Sequence, residues 1–182
     1  MDISRNLISK YINLALLATK STDALMQEKG IGKDKAVTLA ACFEISRRVA
    51  SQNKNLWDKK ITSPSDVADY FIPILKDELK EKFIVVCLSS ANKINKYEVI
   101  SVGNLNSSVV HPREVFKVAI DNNSANIIIM HNHPSGNPEP SSEDIAITKK
   151  IVDAGKILDI QVFDHIIIAG NSYTSFVEKR LI

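Results

Sequence analysis

Residues 126–144, "NIIIMHNHPSGNPEPSSED", join an apolar run to two histidines, a proline-rich loop and an acid. Alternate residues of a β-strand point to the same side, so His131 and His133 can offer two imidazoles to one ion while the residue between them faces away. Pro134 cannot donate a hydrogen bond to a β-ladder, and the rigid loop behind it leads into a helix beginning near Ser141. The stretch predicts a strand, a loop and a helix, with polar side chains gathered where the strand ends.

His131, His133 and Asp144 form a candidate metal site within this unit. Asp144 lies in the first turn of the predicted helix, from which its carboxylate can return to the histidines. Three such ligands with a fourth position open are typical of catalytic zinc, whereas structural zinc is usually held by four ligands, mostly cysteines. The alternative is a capping box, in which Ser141 caps the helix and Asp144 reaches back without a metal. The joint occurrence of both histidines, the rigid loop and the acid favours the metal site.

Beyond residue 60, apolar runs of strand length alternate with helical patterns, which predicts an α/β domain with a mixed sheet flanked by helices. One helix begins on Ser63 or Ser65 as N-cap, and another ends at Gly155. The predicted strands are "KFIVVCL" (82–88), "EVISVG" (98–103), "ANIIIM" (125–130), "IQVFDHIIIA" (160–169) and "SYTSFV" (172–177), and the helices cover "SPSDVADYFIPILKDEL" (63–79), "HPREVFKVAIDN" (111–122) and "SSEDIAITKKIVDAG" (141–155).

Residues 1–60 predict a small all-α module, separated from the α/β domain of residues 61–182 by the polar stretch "SQNKNLWDKKITSPSD". Apolar residues recur at helical spacing near the start, and a second helix is predicted from about Lys33 to Val49 with Val37, Ala40, Ala41 and Ile45 inward. The module holds 11 Lys and Arg against 6 Asp and Glu, a net charge of +5, whereas residues 61–182 hold 12 against 15, a net charge of −3. The two parts are therefore expected to meet different partners.

Composition excludes several classes of protein. The chain is 45% hydrophobic and 24% charged, which is ordinary for a globular protein. The apolar stretch "INLALLA" (12–18) is far shorter than the ~20 residues of a membrane span, so we expect no membrane association, no signal peptide and a cytoplasmic location. Cys42 and Cys87 lack C-x-x-C spacing, which argues against a zinc knuckle or a disulfide framework.

"HNHPSGNPEPSSED" resembles the JAMM motif, H-x-H-P-x6-S-x-x-D, of the JAB/MPN metalloprotease superfamily, and most closely its bacterial RadC (UPF0758-like) family. The stretches "EKFIVVCL", "VVHPREVFKVAI", "DIAITKKI" and "DHIIIAG" are similar to blocks of RadC-like proteins in the same order. The resemblance implies an MPN/JAB, cytidine deaminase-like fold over residues 61–182. It also implies Zn²⁺ held by His131, His133 and Asp144, with the hydroxyl of Ser141 directed at the oxyanion that forms when a metal-activated water attacks a carbonyl.

JAMM enzymes also carry an upstream glutamate that serves as the general base, and Glu81 matches it, one residue before "KFIVVCL". Glu114 in "HPREVF" is the competing assignment, and a solvated acid in the charge run "KDELKEK" is the alternative interpretation of Glu81. His165 in "FDHIIIAG" is a candidate for supporting a ligating imidazole or for contacting substrate, and otherwise ends a strand at the surface. His111 has less claim to a role.

"GIG" (30–32), followed by Lys33 and Lys35, resembles the turn of a helix-hairpin-helix, whose backbone amides can hold a DNA phosphate. Glu28 occupies a position that is usually apolar in that pattern, and the region is too short for paired hairpins. The alternative is a glycine turn between packed helices. The resemblance to RadC-like proteins, which carry such a module, implies a weak DNA contact through residues 1–60.

These observations favour a zinc-dependent hydrolase of the JAMM class that cleaves an amide or isopeptide bond in a peptide or protein substrate. The first alternative is a DNA-associated repair or adaptor protein that uses the MPN domain as a scaffold, although MPN scaffolds typically lose the ligands that this chain retains. The second alternative is a metal-dependent nuclease. The sequence leaves the substrate and the oligomeric state open.

Overall fold

The computed structural model describes residues 2–11, 14–52, 59–103 and 110–182. Contacts between Cα atoms divide the chain into two compact units, Met1–Asn53 and Lys54–Ile182. Within the described ranges, no helix is both long enough and apolar enough to cross a membrane.

The described part of the first unit contains four helices, α1 Asp2–Lys10, α2 Leu14–Ala18, α3 Thr22–Met26 and α4 Lys33–Gln52. The predicted inward face of α4 is wrong in part, because Val37 and Ile45 are 50% and 60% exposed and Ala41 is exposed as well. Apolar residues lie on more than one side of α4, so their spacing does not select a face, and packing against the short helices does. The small core of this unit consists of Leu7, Leu17, Leu25, Ile31 and Ala36, with Ile3, Tyr11, Leu39 and Phe43 packed against it.

The second unit is built on a five-stranded sheet in the order β2-β1-β3-β4-β5. Its strands are β1 Lys82–Leu88, β2 Ile94–Val102, β3 Asn126–Asn132, β4 Gln161–Ala169 and β5 Ser172–Ser175, and its helices are α5 Pro64–Leu75, α6 Pro112–Asp121 and α7 Ser142–Leu158. Strands β3 and β4 are parallel and the other neighbouring pairs are antiparallel. The predicted α/β class with a mixed sheet is therefore confirmed.

Helices cover both faces of the sheet, which explains the continuous apolar runs of the central strands. On one face, Phe71 and Leu75 of α5 pack with Met130 and other even-numbered residues of β1 and β3. On the other face, Phe116 of α6 and Ile151 of α7 pack against the odd-numbered residues of the same strands. His131 shares the parity of Ile127 and Ile129, and the alternation of the strand directs it toward α7.

A register shift in the pairing of β3 with β4 changes which residues of β4 face α7. Ile127 pairs with Val162, but Ile128 pairs with Asp164, so one residue of β4 is inserted between the two pairs. Val162 packs on the side of α6 and α7, and strict alternation from it would direct His165 to the opposite side. The inserted residue restores His165 to the side of α7, an effect typical of a β-bulge.

The predicted start of α5 is confirmed, but its predicted end at residue 79 is wrong, because α5 ends at Leu75. Helix α5 begins with Ser63 as N-cap, and Asp66 completes its capping box. Helix α7 continues past Gly155 to Leu158 and ends at Asp159 with φ of 56°, so the predicted end at Gly155 is wrong. A Cβ atom at Gly155 would lie 2.5 Å from the carbonyl oxygen of Ile160, which shows that this glycine permits a close approach of the chain leading into β4.

Candidate metal centre

His131, His133 and Asp144 converge at the end of β3 and the first turn of α7, as predicted. The Nε2 atoms of the two histidines lie 2.9 Å apart. Asp144 places Oδ1 3.3 Å from Nε2 of His131 and Oδ2 3.5 Å from Nε2 of His133. His131 is fully buried and Asp144 is 5% exposed, so the cluster lies beneath the surface with His133 on its outer side.

The second nitrogen of each imidazole is engaged away from the cluster. Nδ1 of His133 lies 2.7 Å from the carbonyl oxygen of Asn137, and because a carbonyl only accepts, Nδ1 carries the proton. Nδ1 of His131 lies 2.8 Å from Nε2 of His165. Both Nε2 atoms therefore face each other and an acidic side chain.

This donor set fits a zinc ion. Two ring nitrogens and a carboxylate that crowd together repel one another unless a proton or a cation lies among them. Nitrogen and oxygen donors of this kind suit Zn²⁺, and three protein ligands are the number found in catalytic sites. The three residues offer ligand atoms that all lie within 4.8 Å of one another.

Electrostatics favour the protonation states that a metal requires. Burial lowers the pKa of His131 to about 4, so its ring is neutral at pH 7. Burial opposes ionisation of Asp144, but hydrogen bonds from His133 and Ser141 and the proximity of His131 hold the pKa of that carboxyl well below its usual range. The hydrogen bond to Asp144 raises the pKa of His133. A metal ion that displaced the proton between His133 and Asp144 would be bound by a neutral imidazole and a carboxylate.

Ser141 and Asp144 form the predicted capping box of α7. The Ser141 hydroxyl accepts a hydrogen bond of 3.1 Å from the Asp144 amide and donates one of 2.7 Å to Asp144 Oδ2. The Ser141 amide donates to the same oxygen at 2.8 Å. Asp144 keeps Oδ1 directed toward His131, so the cap and the metal site are compatible interpretations of one motif.

Glu81 lies at the same edge of the sheet, held there by Asn132. The Asn132 side chain donates to the Lys80 carbonyl at 3.1 Å and accepts from the Lys82 amide at 2.8 Å. It therefore binds the backbone on both sides of Glu81. The negative charge of Glu81 contributes to the raised pKa of His133, after the larger effects of Asp144 and Asn137. Glu81 therefore lies close enough to the cluster for its charge to act on His133.

Glu114 and His111 lie at the start of α6. Glu114 forms an ion pair of 3.0 Å with the exposed Arg113. His111 is the N-cap residue of α6 and is exposed, and its side chain makes no capping hydrogen bond. Neither residue belongs to the group whose ligand atoms converge.

Two residues beside the cluster were incompletely predicted. His165 is fully buried and contacts His131, so the alternative of a surface position at a strand end is wrong. Thr148 was missed, although it lies four residues after Asp144 on α7, a spacing that places both on one face of a helix. Its hydroxyl lies 2.5 Å from Nδ1 of His165.

Comparison with known proteins identifies the family. A family model described as the RadC-like JAB domain matches residues 61–181. The chain belongs to this family. It is 47% identical over 178 residues to a UPF0758 protein of Staphylococcus aureus (strain bovine RF122 / ET3-1), covering 98% of this chain and 78% of the relative.

Relatives from two species of Methanosarcina are similar over the whole chain. A UPF0758 protein of Methanosarcina barkeri is 43% identical over 182 residues, which is 100% of this chain and 79% of the relative. One from Methanosarcina mazei is 46% identical, with the same coverage of both chains. The predicted RadC resemblance and the JAB/MPN fold are thus confirmed, and a RadC-like JAB domain supports a metal-dependent hydrolase or a repair-related role. The names of these relatives state no activity.

Proposed function

We propose that the chain is a zinc-dependent metallohydrolase of the JAMM class that cleaves an amide or isopeptide bond in a peptide or protein substrate. The observation that carries this proposal is the convergence of two imidazole Nε2 atoms, 2.9 Å apart, on a carboxylate whose pKa is lowered. His131, His133 and Asp144 would hold the ion. A zinc ion there would polarise a carbonyl and lower the pKa of a water molecule.

Glu81 is the proposed general base, which takes the proton of the attacking water and delivers it to the leaving amine. Two features support it over Glu114. Its charge acts on His133, and Asn132 holds the backbone on both sides of it. Glu114 is instead ion-paired with Arg113 on an exposed helix turn.

Ser141 is the proposed donor to the oxyanion of a tetrahedral intermediate. Its hydroxyl hydrogen now points to Asp144 Oδ2 at 2.7 Å, and a hydroxyl rotates readily to a new acceptor. A donor of this kind suits carbonyl chemistry, which favours an amide over a phosphodiester as the substrate.

Metal analysis of the purified chain tests the proposal. We expect one zinc per chain and a reduced zinc content in His131→Ala, His133→Ala and Asp144→Ala. His111→Ala is the matched control, because it removes an exposed histidine outside the cluster. Unchanged zinc content in all three ligand variants would overturn the proposed metal centre. A separate screen of peptide, isopeptide and nucleic-acid substrates distinguishes amide hydrolysis from phosphodiester hydrolysis.

A weak DNA contact through residues 1–60 is a second proposal, supported by their net charge of +5. In the turn before α4, Gly30 adopts a φ of +86° and its carbonyl oxygen accepts from Lys35 at 3.0 Å. Glu28, the departure from the hairpin pattern, is bound within the unit by Lys10 and Tyr11. Its negative charge is therefore partly neutralised before any DNA approaches.

A further inference from the structure

A buried chain of hydrogen bonds leads from the metal cluster back to one of its own members. Nδ1 of His131 lies 2.8 Å from Nε2 of His165. Nδ1 of His165 lies 2.5 Å from the hydroxyl of Thr148, which in turn lies 2.5 Å from the carbonyl oxygen of Asp144. The side chains of His131, His165 and Thr148 are each at most 1% exposed.

The direction of each proton follows from the end of the chain. The Asp144 carbonyl can only accept, so Thr148 must use its single hydroxyl hydrogen on it, because two oxygens 2.5 Å apart without a hydrogen between them would repel. The Thr148 oxygen is then an acceptor for His165. Nδ1 of His165 therefore carries a proton.

His165 is enclosed by apolar surroundings that favour its neutral form. Its ring stacks on Phe176 with centroids 4.5 Å apart and meets the edge of Phe83 at 5.8 Å. Its two ring nitrogens contact an imidazole and a hydroxyl, not a carboxylate. A cation in this place would lose its hydration without an ionic partner in contact. A neutral ring with its proton on Nδ1 has a bare Nε2, which accepts from Nδ1 of His131.

We propose that His165 and Thr148 are positioning residues that hold His131 with its proton on Nδ1 and so direct the lone pair of its Nε2 at the metal cluster. The inference rests on the proposed zinc site. Asp144 then acts twice, through its carboxylate in the cluster and through its backbone carbonyl at the origin of the chain that orients His131. His133 is oriented more simply, by the carbonyl of Asn137.

Thr148→Val and Thr148→Ser test this role in the full-length chain. Valine keeps the shape of threonine and removes the hydroxyl, whereas serine keeps the hydroxyl and removes the methyl group. We expect Thr148→Val to weaken Zn²⁺ affinity, measured by competition with a chelator, by ~10- to 100-fold, as for other groups that support a ligating histidine. Thr148→Ser should bind nearly as the unaltered chain does. A merely structural role predicts the opposite order, because packing depends on the methyl group.

Thr174→Val is the matched control, since Thr174 is also a buried threonine, on β5. It should leave zinc affinity unchanged. Equal affinity of Thr148→Val and the unaltered chain, or a serine variant as weak as the valine variant, would overturn the inference while the zinc site stands. Absence of zinc binding by the unaltered chain would overturn both.

Nitrogen NMR of the imidazole rings provides a readout that needs no metal. In the metal-free protein, His131 and His165 should both show the tautomer with the proton on Nδ1. Observation of the Nε2-protonated tautomer for His165 would overturn the proposed chain even if zinc binds.

Discussion

Asp144 shows how much one residue can carry when its backbone and side chain are both used. Its amide and Oδ2 complete the cap with Ser141, its Oδ1 faces His131, and its carbonyl accepts from Thr148. The capping box and the candidate metal site therefore use the same residue, and Asp144 serves both. Substitution of Asp144 is expected to affect both, so variants of its neighbours are better probes of chemistry.

At Glu81, metal binding and catalysis can be separated. Glu81→Gln should retain zinc, because the side chain is not one of the three ligands. Hydrolysis of a substrate found by screening should fall by ~10² to 10⁴ fold, the contribution of a general acid-base group. Zinc content and turnover are measured on the same preparations.

Glu114→Gln is the control for this experiment and should retain both zinc and turnover. Full turnover by Glu81→Gln together with an inactive Glu114→Gln would assign the base to Glu114. If neither change lowers turnover, the hydrolytic mechanism proposed for this site is wrong.

At the scale of elements, helix ends and strand irregularities determine where the site residues lie. The bulge in β4 directs His165 toward α7, and the close approach at Gly155 brings the chain after α7 back to the start of β4. Helix α5 is anchored by its own capping box, in which Asp66 Oδ2 accepts from the Ser63 amide at 3.0 Å, and the same oxygen also accepts from the Thr62 amide at 2.9 Å. Asp66 also contacts Lys59.

The Asp66 cap predicts a pH-dependent contribution to stability. Burial opposes ionisation of Asp66, but its bonds to Lys59, Thr62 and Ser63 hold the pKa of this carboxyl well below its usual value. A lowered folded-state pKa means that the stabilisation is complete above the unfolded pKa of about 3.9 and is lost as the pH falls toward the folded value. Asp66→Asn should therefore reduce the free energy of unfolding by ~1 to 2 kcal/mol at pH 7.

Urea unfolding of both proteins at pH 7 and at about pH 3 checks this expectation, since the unfolded carboxyl is mostly protonated at the lower pH. The difference between them should shrink there. Asp69→Asn, on the same helix but outside the box, serves as the comparison. A difference that is constant with pH would show that the charge of Asp66 does not contribute.

At the scale of the whole molecule, two compact units carry opposite net charge. Residues 1–53 hold 8 Lys and Arg against 5 Asp and Glu, a net charge of +3, and residues 54–182 hold 15 against 16, a net charge of −1. The positive charge of the whole chain therefore comes from the first unit. Nucleic acid would therefore be attracted more strongly to the first unit than to the second.

DNA binding, if the basic unit provides it, should be weak and should decrease with salt as counterions are released. Reversal of charge at Lys33 and Lys35 in the full-length chain should weaken binding and reduce its salt dependence. Lys93→Glu, at an exposed position of the second unit, is the control. Fluorescence anisotropy of labelled duplex DNA at several salt concentrations measures the affinity and its salt dependence. Equal binding by all variants would show that Lys33 and Lys35 of the first unit do not bind DNA.

Local patterns were sufficient for much of this structure. The capping box at Ser63, the metal-ligand spacing of His131 and His133, and the strand-length runs of β1 and β3 follow from backbone periodicity and from the hydrogen bonds that a residue makes with its near neighbours. Such properties are encoded within a few residues and are expressed wherever the segment lies. The α/β class and the gathering of the three candidate ligands were therefore predictable.

Only the tertiary structure determined the orientation of His165, the buried face of α4 and the purpose of Gly155. His165 faces α7 because β3 and β4 pair with an inserted residue, and alternation within β4 alone predicts the other side. Gly155 lies inside α7, where the carbonyl of Ile160 approaches too closely for a side chain to fit. The helical pattern of α7 does not indicate this contact. The physical reason is the same in each case: register and close packing depend on contacts between separate elements, and no periodicity within one element records which partner it will meet.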